Sequence, residues 1–106
     1  MLGEFEYLLL SVAARLGEGA YGAAIRREIE GATKRRCSIG ALYTTLDRLE
    51  AKGLVSTWMG DPTPQRGGRA KRFFQVTASG VEAVVRAQRS YQSLLEGLEL
   101  PGLAYA

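Results

Sequence analysis

Residues 38–55 read SIGALYTTLDRLEAKGLV and contain the clearest helical pattern in the chain. The apolar residues of this stretch recur every three or four positions, at Ile39, Leu42, Leu46 and Leu49. That spacing places them on one face of a helix. Ser38 suits the N-cap, because its hydroxyl accepts a hydrogen bond from the first turn. Gly53 suits the residue after a helix, where the backbone takes positive φ. The stretch predicts a capped helix with a buried stripe.

The opposite face of this helix carries small and hydroxyl-bearing residues. A helical projection places four residues opposite the leucines: Gly40, Thr44, Asp47 and Ala51. Tyr43 and Arg48 lie on the flanks, where we expect Arg48 to pair with Glu50 or a neighbour. Surface helices prefer Glu and Lys, whereas small residues allow the backbone to approach a groove. The alternative is an ordinary surface helix with a few weak helix formers.

Other elements are predicted on both sides of this helix. Residues 3–16 and 21–31 are amphipathic, and Gly17 and Gly19 separate them. Residues 54–59 and 70–76 are rich in β-formers and enclose a polar, turn-rich loop. A final helix follows a cap at Thr77 or Ser79 and continues to near Pro101. The predicted fold class is mainly α with a two-stranded β-wing, a winged helix-turn-helix.

Positive charge is concentrated in the middle of the chain. The 106 residues carry a net charge of +3. Residues 34–72 contain nine basic and three acidic residues, a net charge of +6, whereas the flanking segments are slightly acidic. A localised basic segment is typical of a surface that binds nucleic acid. The simpler alternative is that these side chains are only solvated.

The residue inventory disfavours an enzyme. The chain has no histidine and one cysteine, Cys37, so a transition-metal site or a histidine-based triad is not expected. Carboxylate pairs such as Glu4/Glu6 and Glu28/Glu30 are two residues apart on helices and are interpreted as solvated. Cys37 is interpreted as a small half-buried residue, with a redox sensor as the alternative. No cofactor is predicted.

Composition also bears on the compartment. The apolar run at residues 7–16 is too short to cross a bilayer, and acidic residues precede it where a signal peptide would be basic. A lone cysteine fits a reducing compartment. The sequence therefore predicts a cytoplasmic protein that does not contact a membrane.

Residues 38–55 resemble the signature of the PadR family of bacterial transcriptional regulators, roughly S-x-G-x-L-Y-P-x-L-x-R-L-E-x-x-G-L-[IV]. Residues 21–25, YGAAI, are similar to the family's second-helix opening, and residues 68–77, GRAKRFFQVT, to its wing strand. Thr44 stands where the family usually has Pro, and Phe74 where it often has Tyr. A single short terminal helix is similar to the small subclass. The resemblance implies a homodimeric DNA-binding regulator, often a repressor released by small molecules.

We expect the capped helix that begins after Ser38 to be the recognition helix, which enters the major groove of DNA. The DNA contacts would come from the N-terminal part of this helix, the turn before it, the start of the second helix and the wing. The expected DNA-binding residues are Tyr21, Lys34, Arg35, Arg36, Ser38, Gly40, Tyr43, Thr44, Arg66, Arg69, Lys71 and Arg72. Tyr43 has an alternative role as a half-buried ring packed against the wing.

The terminal helix is expected to form the dimer interface, because its apolar stripe is larger than a small domain can cover alone. The expected interface residues are Phe5, Leu9, Val84, Val85, Tyr91, Leu94, Leu95 and Leu98. We expect residues 1–78 to bind double-stranded DNA and residues 79–106 to dimerise. By family analogy, a small apolar effector would bind beside Phe5, Leu9, Tyr91 and Leu95. The competing hypothesis is a winged-helix adaptor that binds proteins rather than DNA.

Overall fold

The computed structural model describes residues 1–60 and 70–99; residues 61–69 and 100–106 lie outside the described part. The element order is α1 (Glu4–Leu16), a 3-10 turn (Gly17–Gly19), α2 (Gly22–Thr33), α3 (Ile39–Ala51), β1 (Val55–Met59), β2 (Arg72–Val76) and α4 (Ala78–Leu95). This is the mainly helical fold with two strands that the sequence predicts. Within residues 1–60 and 70–99, no helix has the length and apolar character needed to cross a membrane.

The wing is an antiparallel pair, with β1 and β2 in register from Val55 opposite Val76 to Met59 opposite Arg72. A third segment joins β2 on its other side. The backbone N–H of Phe74 donates to the carbonyl of Ala20 at 2.8 Å, and Tyr21 forms an isolated bridge with Phe73. The start of α2 is therefore fixed to the base of the wing.

The core forms where α1 meets the other three helices and β2. Its largest fully buried side chains are Phe74, Leu9, Leu10, Ile25, Leu42, Leu46 and Leu49. Three of them come from the predicted stripe of α3. Burial of these leucines orients α3 so that Gly40 and Thr44 face outward, as the pattern predicts. Apolar burial of this kind contributes about 1.5–3 kcal/mol per large side chain.

The caps of α3 and α4 are confirmed. The Ser38 hydroxyl accepts from the N–H of Ala41 at 3.1 Å, and the Thr77 hydroxyl accepts from the N–H of Gly80 at 3.1 Å. Thr77 rather than Ser79 is the cap. Gly53 follows α3 with a φ of 74°, so glycine is needed at that position.

Three details of the predicted helices are wrong. Ile39 is 54% exposed, because the first turn of α3 begins outside the core. The second helix continues to Thr33 rather than ending at Gly31. The terminal helix ends at Leu95 instead of continuing to near Pro101, since Glu96 is extended and Gly97 takes a φ of 79°.

Glu6 is buried, which corrects its interpretation as a solvated carboxylate. Its Oε2 lies 2.8 Å from the Lys52 ammonium, and its Oε1 accepts from the N–H of Gly3 at 2.9 Å. The hydrogen bond from Lys52 lowers the pKa of Glu6 despite burial, which acts in the opposite direction. This ion pair joins the start of α1 to the end of α3. Glu4 is exposed, as expected.

Candidate nucleic-acid interface

The outward face of α3 is small at its N-terminal end. Gly40 and Thr44 are exposed, and a Cβ added at Gly40 would meet no atom within 4 Å. Ser38 is also exposed, and its hydroxyl retains its own hydrogen for donation while it caps the helix. These three residues form a surface that a groove edge can approach closely. We name Ser38, Gly40 and Thr44 the α3 outer face.

Tyr43 lies beside this face and is half-buried. Its ring is tilted against Phe74 with centroids 6.5 Å apart, and it covers Gly22 so closely that a Cβ there would overlap it. This packing favours the structural role that the sequence leaves open for Tyr43. The ring joins α3 to β2 and to the start of α2.

The turn before α3 is held by polar contacts around Cys37. Arg26 Nε donates to the Cys37 carbonyl at 2.8 Å, and the Cys37 N–H donates to Glu30 Oε2 at 2.8 Å. Burial and the nearby Glu30 charge raise the pKa of the Cys37 thiol. A thiol that keeps its proton is a poor redox nucleophile. Cys37 is 3% exposed and so more deeply buried than expected, which favours the structural interpretation over a redox sensor.

Lys34, Arg35 and Arg36 project from this turn and differ in their contacts. Arg35 Nη2 lies 3.1 Å from Glu4 Oε1 in an exposed ion pair. Lys34 and Arg36 are exposed, and neither forms an ion pair with any residue of 1–60 or 70–99. Two of the three predicted cations are thus available to an anionic partner.

Arg72 is held by the acidic residues of α3. Its guanidinium lies 3.0 Å from Asp47 Oδ1 and 3.2 Å from Glu50 Oε1. Glu50 also accepts a hydrogen bond from the Thr57 hydroxyl at 2.6 Å. These contacts anchor the wing to α3 and occupy the cation that the sequence assigns to DNA. Glu50 therefore pairs with Arg72, not with Arg48.

Lys71 and Tyr21 meet at the base of the wing. The Lys71 ammonium lies 4.2 Å from the centroid of the Tyr21 ring, whose edge packs on Phe73. Arg27 Nη2 donates to the Tyr21 hydroxyl at 3.2 Å. The Arg27 hydrogen bond, with the nearby Lys71 charge, lowers the pKa of Tyr21. Arg27 is absent from the predicted site, because nothing in the sequence relates it to a wing 44 positions away.

Arg66 and Arg69, the remaining predicted cations of the wing, lie outside the described residues.

The predicted dimer residues divide into two groups. Leu9 is 0% exposed inside the single chain, so its inclusion in an interface is wrong. Phe5 and Val84 are partly buried against the chain's own core. The others are exposed apolar side chains of α4 or, for Leu98, of the segment after it: Val85, Tyr91, Leu94, Leu95 and Leu98.

A groove of about 520 Å³ lies beside α4, between that helix, the residues before α1 and the turn after α3. Its lining residues are Met1, Leu2, Lys52, Leu54, Ala83, Arg86, Ala87, Ser90 and Tyr91. Of the four residues expected to line an effector site, only Tyr91 does so. Phe5 instead lines a separate cavity of about 290 Å³ beside the turn before α3. Leu9 is in the core.

Two helices joined by a fixed turn, a capped second helix with a small outer face, and an antiparallel wing define a winged helix-turn-helix protein. A model of the transcriptional regulator PadR-like family matches residues 9–86. The chain therefore belongs to the PadR-like family of transcriptional regulators.

Solved structures agree with this assignment. A PadR-like transcription factor from Bacteroides fragilis superposes with a TM-score of 0.73 at 22% identity, over 87% of this chain and 84% of that chain. RosR of H. salinarum gives a TM-score of 0.68 at 28% identity, over 92% and 81% of the two chains. A complex structure of hsRosR-S4 gives 0.66 at 31% identity, over 92% and 77%. Curated proteins provided no match.

Proposed function

We propose that this regulator is a homodimeric repressor that binds a pseudo-palindromic DNA operator. The observation that carries the proposal is the α3 outer face, which is small and exposed. Lys34 and Arg36 are exposed in the turn directly before it, and Lys71 is exposed at the base of the wing. An α-helix enters the major groove, and its N-terminal residues approach the base edges. Cations on either side of such a helix would meet the phosphates of the groove rims.

The α3 outer face contains no arginine, lysine, asparagine or glutamine. Ser38 and Thr44 hydroxyls bond to either bases or phosphates and discriminate weakly. We therefore expect affinity to depend mainly on phosphate contacts. Sequence preference would come from close approach at Gly40 and from the shape of the DNA.

Dimerisation is supported by the exposed apolar side chains of α4. Five of them are more than a third exposed: Val81, Val85, Tyr91, Leu94 and Leu95. Contiguous exposed apolar patches on a protein surface often mark interaction sites. Two copies packed through α4 would present two α3 helices to successive turns of the same DNA face.

An effector role for the groove of about 520 Å³ beside α4 is supported by its size. Pockets for small molecules occupy about 300–1,000 Å³, and about 520 Å³ is within that range. Leu2, Leu54 and Tyr91 supply an apolar lining. A ligand there would contact the dimerisation helix directly. A rise in melting temperature with flat apolar compounds would support this role, and no rise across a panel would contradict it.

The experiment that tests the function is selection of bound duplexes from a random pool, followed by footprinting. The proposal predicts two symmetric half-sites with centres about 10–10.5 bp apart, or a multiple of this spacing. A winged-helix adaptor would select no duplex and leave no footprint, and that result would contradict DNA binding.

A further inference from the structure

Three polar side chains from two distant parts of the chain converge at the base of the wing. Arg27 comes from α2, Lys71 directly precedes β2, and Tyr21 lies between them. The Arg27 guanidinium is 3.2 Å from the Tyr21 hydroxyl, and the Lys71 ammonium is 4.2 Å from the centroid of the same ring. Two cations are thus held around one phenol.

The two cations have no acidic partner in the described structure. Arg15, Arg26, Arg35 and Arg72 each pair with a glutamate or aspartate. Neither Arg27 nor Lys71 forms an ion pair with any carboxylate in residues 1–60 and 70–99. Like charges at short range repel each other. An anion bound beside the Tyr21 hydroxyl would offset the positive charge of both cations.

The position of the cluster relative to α3 is fixed by packing. Tyr21 is adjacent to Gly22, and the Tyr43 ring of α3 lies directly on Gly22. The backbone bridge between Tyr21 and Phe73 fixes the wing side. The cluster therefore lies beside the flank of α3 that carries Tyr43. A phosphate on the rim of the groove would lie there if α3 enters it.

We propose that Arg27, Lys71 and the Tyr21 hydroxyl bind one phosphate of the DNA backbone, with Arg27 supplying a direct ionic contact. Arg27 matches a phosphate better than a point charge does, because its planar fork donates two parallel hydrogen bonds. The Tyr21 hydroxyl orients that fork and offers a hydrogen of its own. This inference rests on the proposed DNA-binding function and adds a contact that the sequence does not indicate.

The test compares Arg27→Gln with the wild-type protein on a fluorescein-labelled 24-bp duplex of mixed sequence. Anisotropy is measured between 50 and 200 mM salt, conditions under which phosphate contacts dominate the affinity. Loss of one ionic contact predicts a log–log salt slope that is less steep by about 0.9, and an affinity about eightfold weaker at 0.1 M salt. Arg27→Lys keeps the charge, so its slope should equal the wild-type slope.

Arg89→Gln on α4 is the matched control, because it removes the same charge from an exposed position away from α3. Its slope and affinity should equal those of the wild-type protein. Arg27 is exposed, so Arg27→Gln should fold like the wild-type protein, and circular dichroism checks this. If the wild-type protein binds with a steep salt slope and Arg27→Gln has the same slope and affinity, Arg27 does not contact a phosphate. The proposed DNA-binding function would still stand. If the wild-type protein does not bind DNA, both the phosphate contact and the proposed DNA-binding function are wrong.

Discussion

Lys34 is the one residue other than glycine with positive φ in residues 1–60 and 70–99. Its φ of 58° places it in the left-handed region directly after α2, where glycine is the usual residue. The conformation costs a residue with a Cβ about 1 kcal/mol. A strained cation at the turn before α3 is consistent with a functional requirement for charge at that position.

Lys34→Gly should raise the free energy of unfolding by about 1 kcal/mol, because glycine takes positive φ without strain. DNA affinity should fall several-fold, since one cation is lost. Urea unfolding and duplex binding measure the two effects. Lys34→Ala is the control, which should lose the same affinity without becoming more stable. Equal stability of the two variants would show that strain at Lys34 is negligible.

Glu6 makes the free energy of unfolding depend on pH. Its pKa is lowered in the folded chain by Lys52, so the pair stabilises the fold above the ordinary glutamate pKa of about 4.3. That contribution is lost as the pH falls through the lower pKa of the folded state. The interaction is invisible in the sequence, because Glu6 and Lys52 are 46 positions apart.

Glu6→Gln should lower the free energy of unfolding by about 1–3 kcal/mol at pH 7, because it leaves the Lys52 contact poorly satisfied. It should also lose less stability than the wild-type protein when the pH falls from 7 to about 3, since the titrating group has gone. Urea titrations at the two pH values measure both effects. The control is Glu4→Gln, an exposed change. Identical acid sensitivity of Glu6→Gln and wild type would contradict this role.

At the scale of elements, apolar periodicity and capping residues predict the helices well, because both depend on residues close together in the sequence. Ser38 and the leucines of α3 specify their helix by themselves, and both observations are confirmed. The errors arise where tertiary packing decides. Ile39 has the correct spacing but lies before the core begins, and Leu9 is buried by its own chain rather than by a partner. The sequence predicts Arg72 to be a free cation, whereas in the structure it pairs with two carboxylates of α3.

The junction of the wing and α4 depends on Gly80. A Cβ there would overlap the carbonyl oxygen of Leu54, which accepts a hydrogen bond from the N–H of Thr77 at 3.0 Å, and would press on Val76. Backbone cannot move aside as a flexible side chain does. The first turn of α4 can approach Leu54, in the turn between α3 and β1, this closely only because residue 80 has no side chain.

Gly80→Ala should lower the free energy of unfolding by about 1–3 kcal/mol, since it overpacks a backbone contact. Gly31→Ala is the matched control, in an open helical position where a Cβ meets nothing within 4 Å. It should raise stability by about 0.5–1 kcal/mol through helix propensity. Chemical denaturation measures the free energy of unfolding of both variants. Equal effects of the two substitutions would contradict the tight contact at Gly80.

At the scale of the whole molecule, the rest of the described chain covers only part of α4. Its first half packs on the core through Gly80 and Val84, whereas Tyr91, Leu94 and Leu95 are exposed. The Tyr91 ring packs edge-on against Tyr7, with ring centroids 5.4 Å apart. A second copy is the partner that family resemblance and this apolar surface together favour.

Leu94 is 75% exposed, so Leu94→Glu should leave the fold intact and place a charge in the proposed dimer interface. Sedimentation at micromolar concentration should give a dimer for the wild-type protein and a monomer for the variant, because a buried unpaired charge opposes association. Gln88→Glu adds the same charge to the same helix without removing apolar surface. A monomeric wild-type protein would contradict the dimer.

We propose that two basic surfaces, one in the turn before α3 and one at the wing, bind DNA phosphates around the α3 outer face. The salt dependence of duplex binding tests it most directly, because each neutralised phosphate contributes about −0.9 to the log–log slope. About six phosphates per site predict a slope near −5. A slope near zero would contradict the claim.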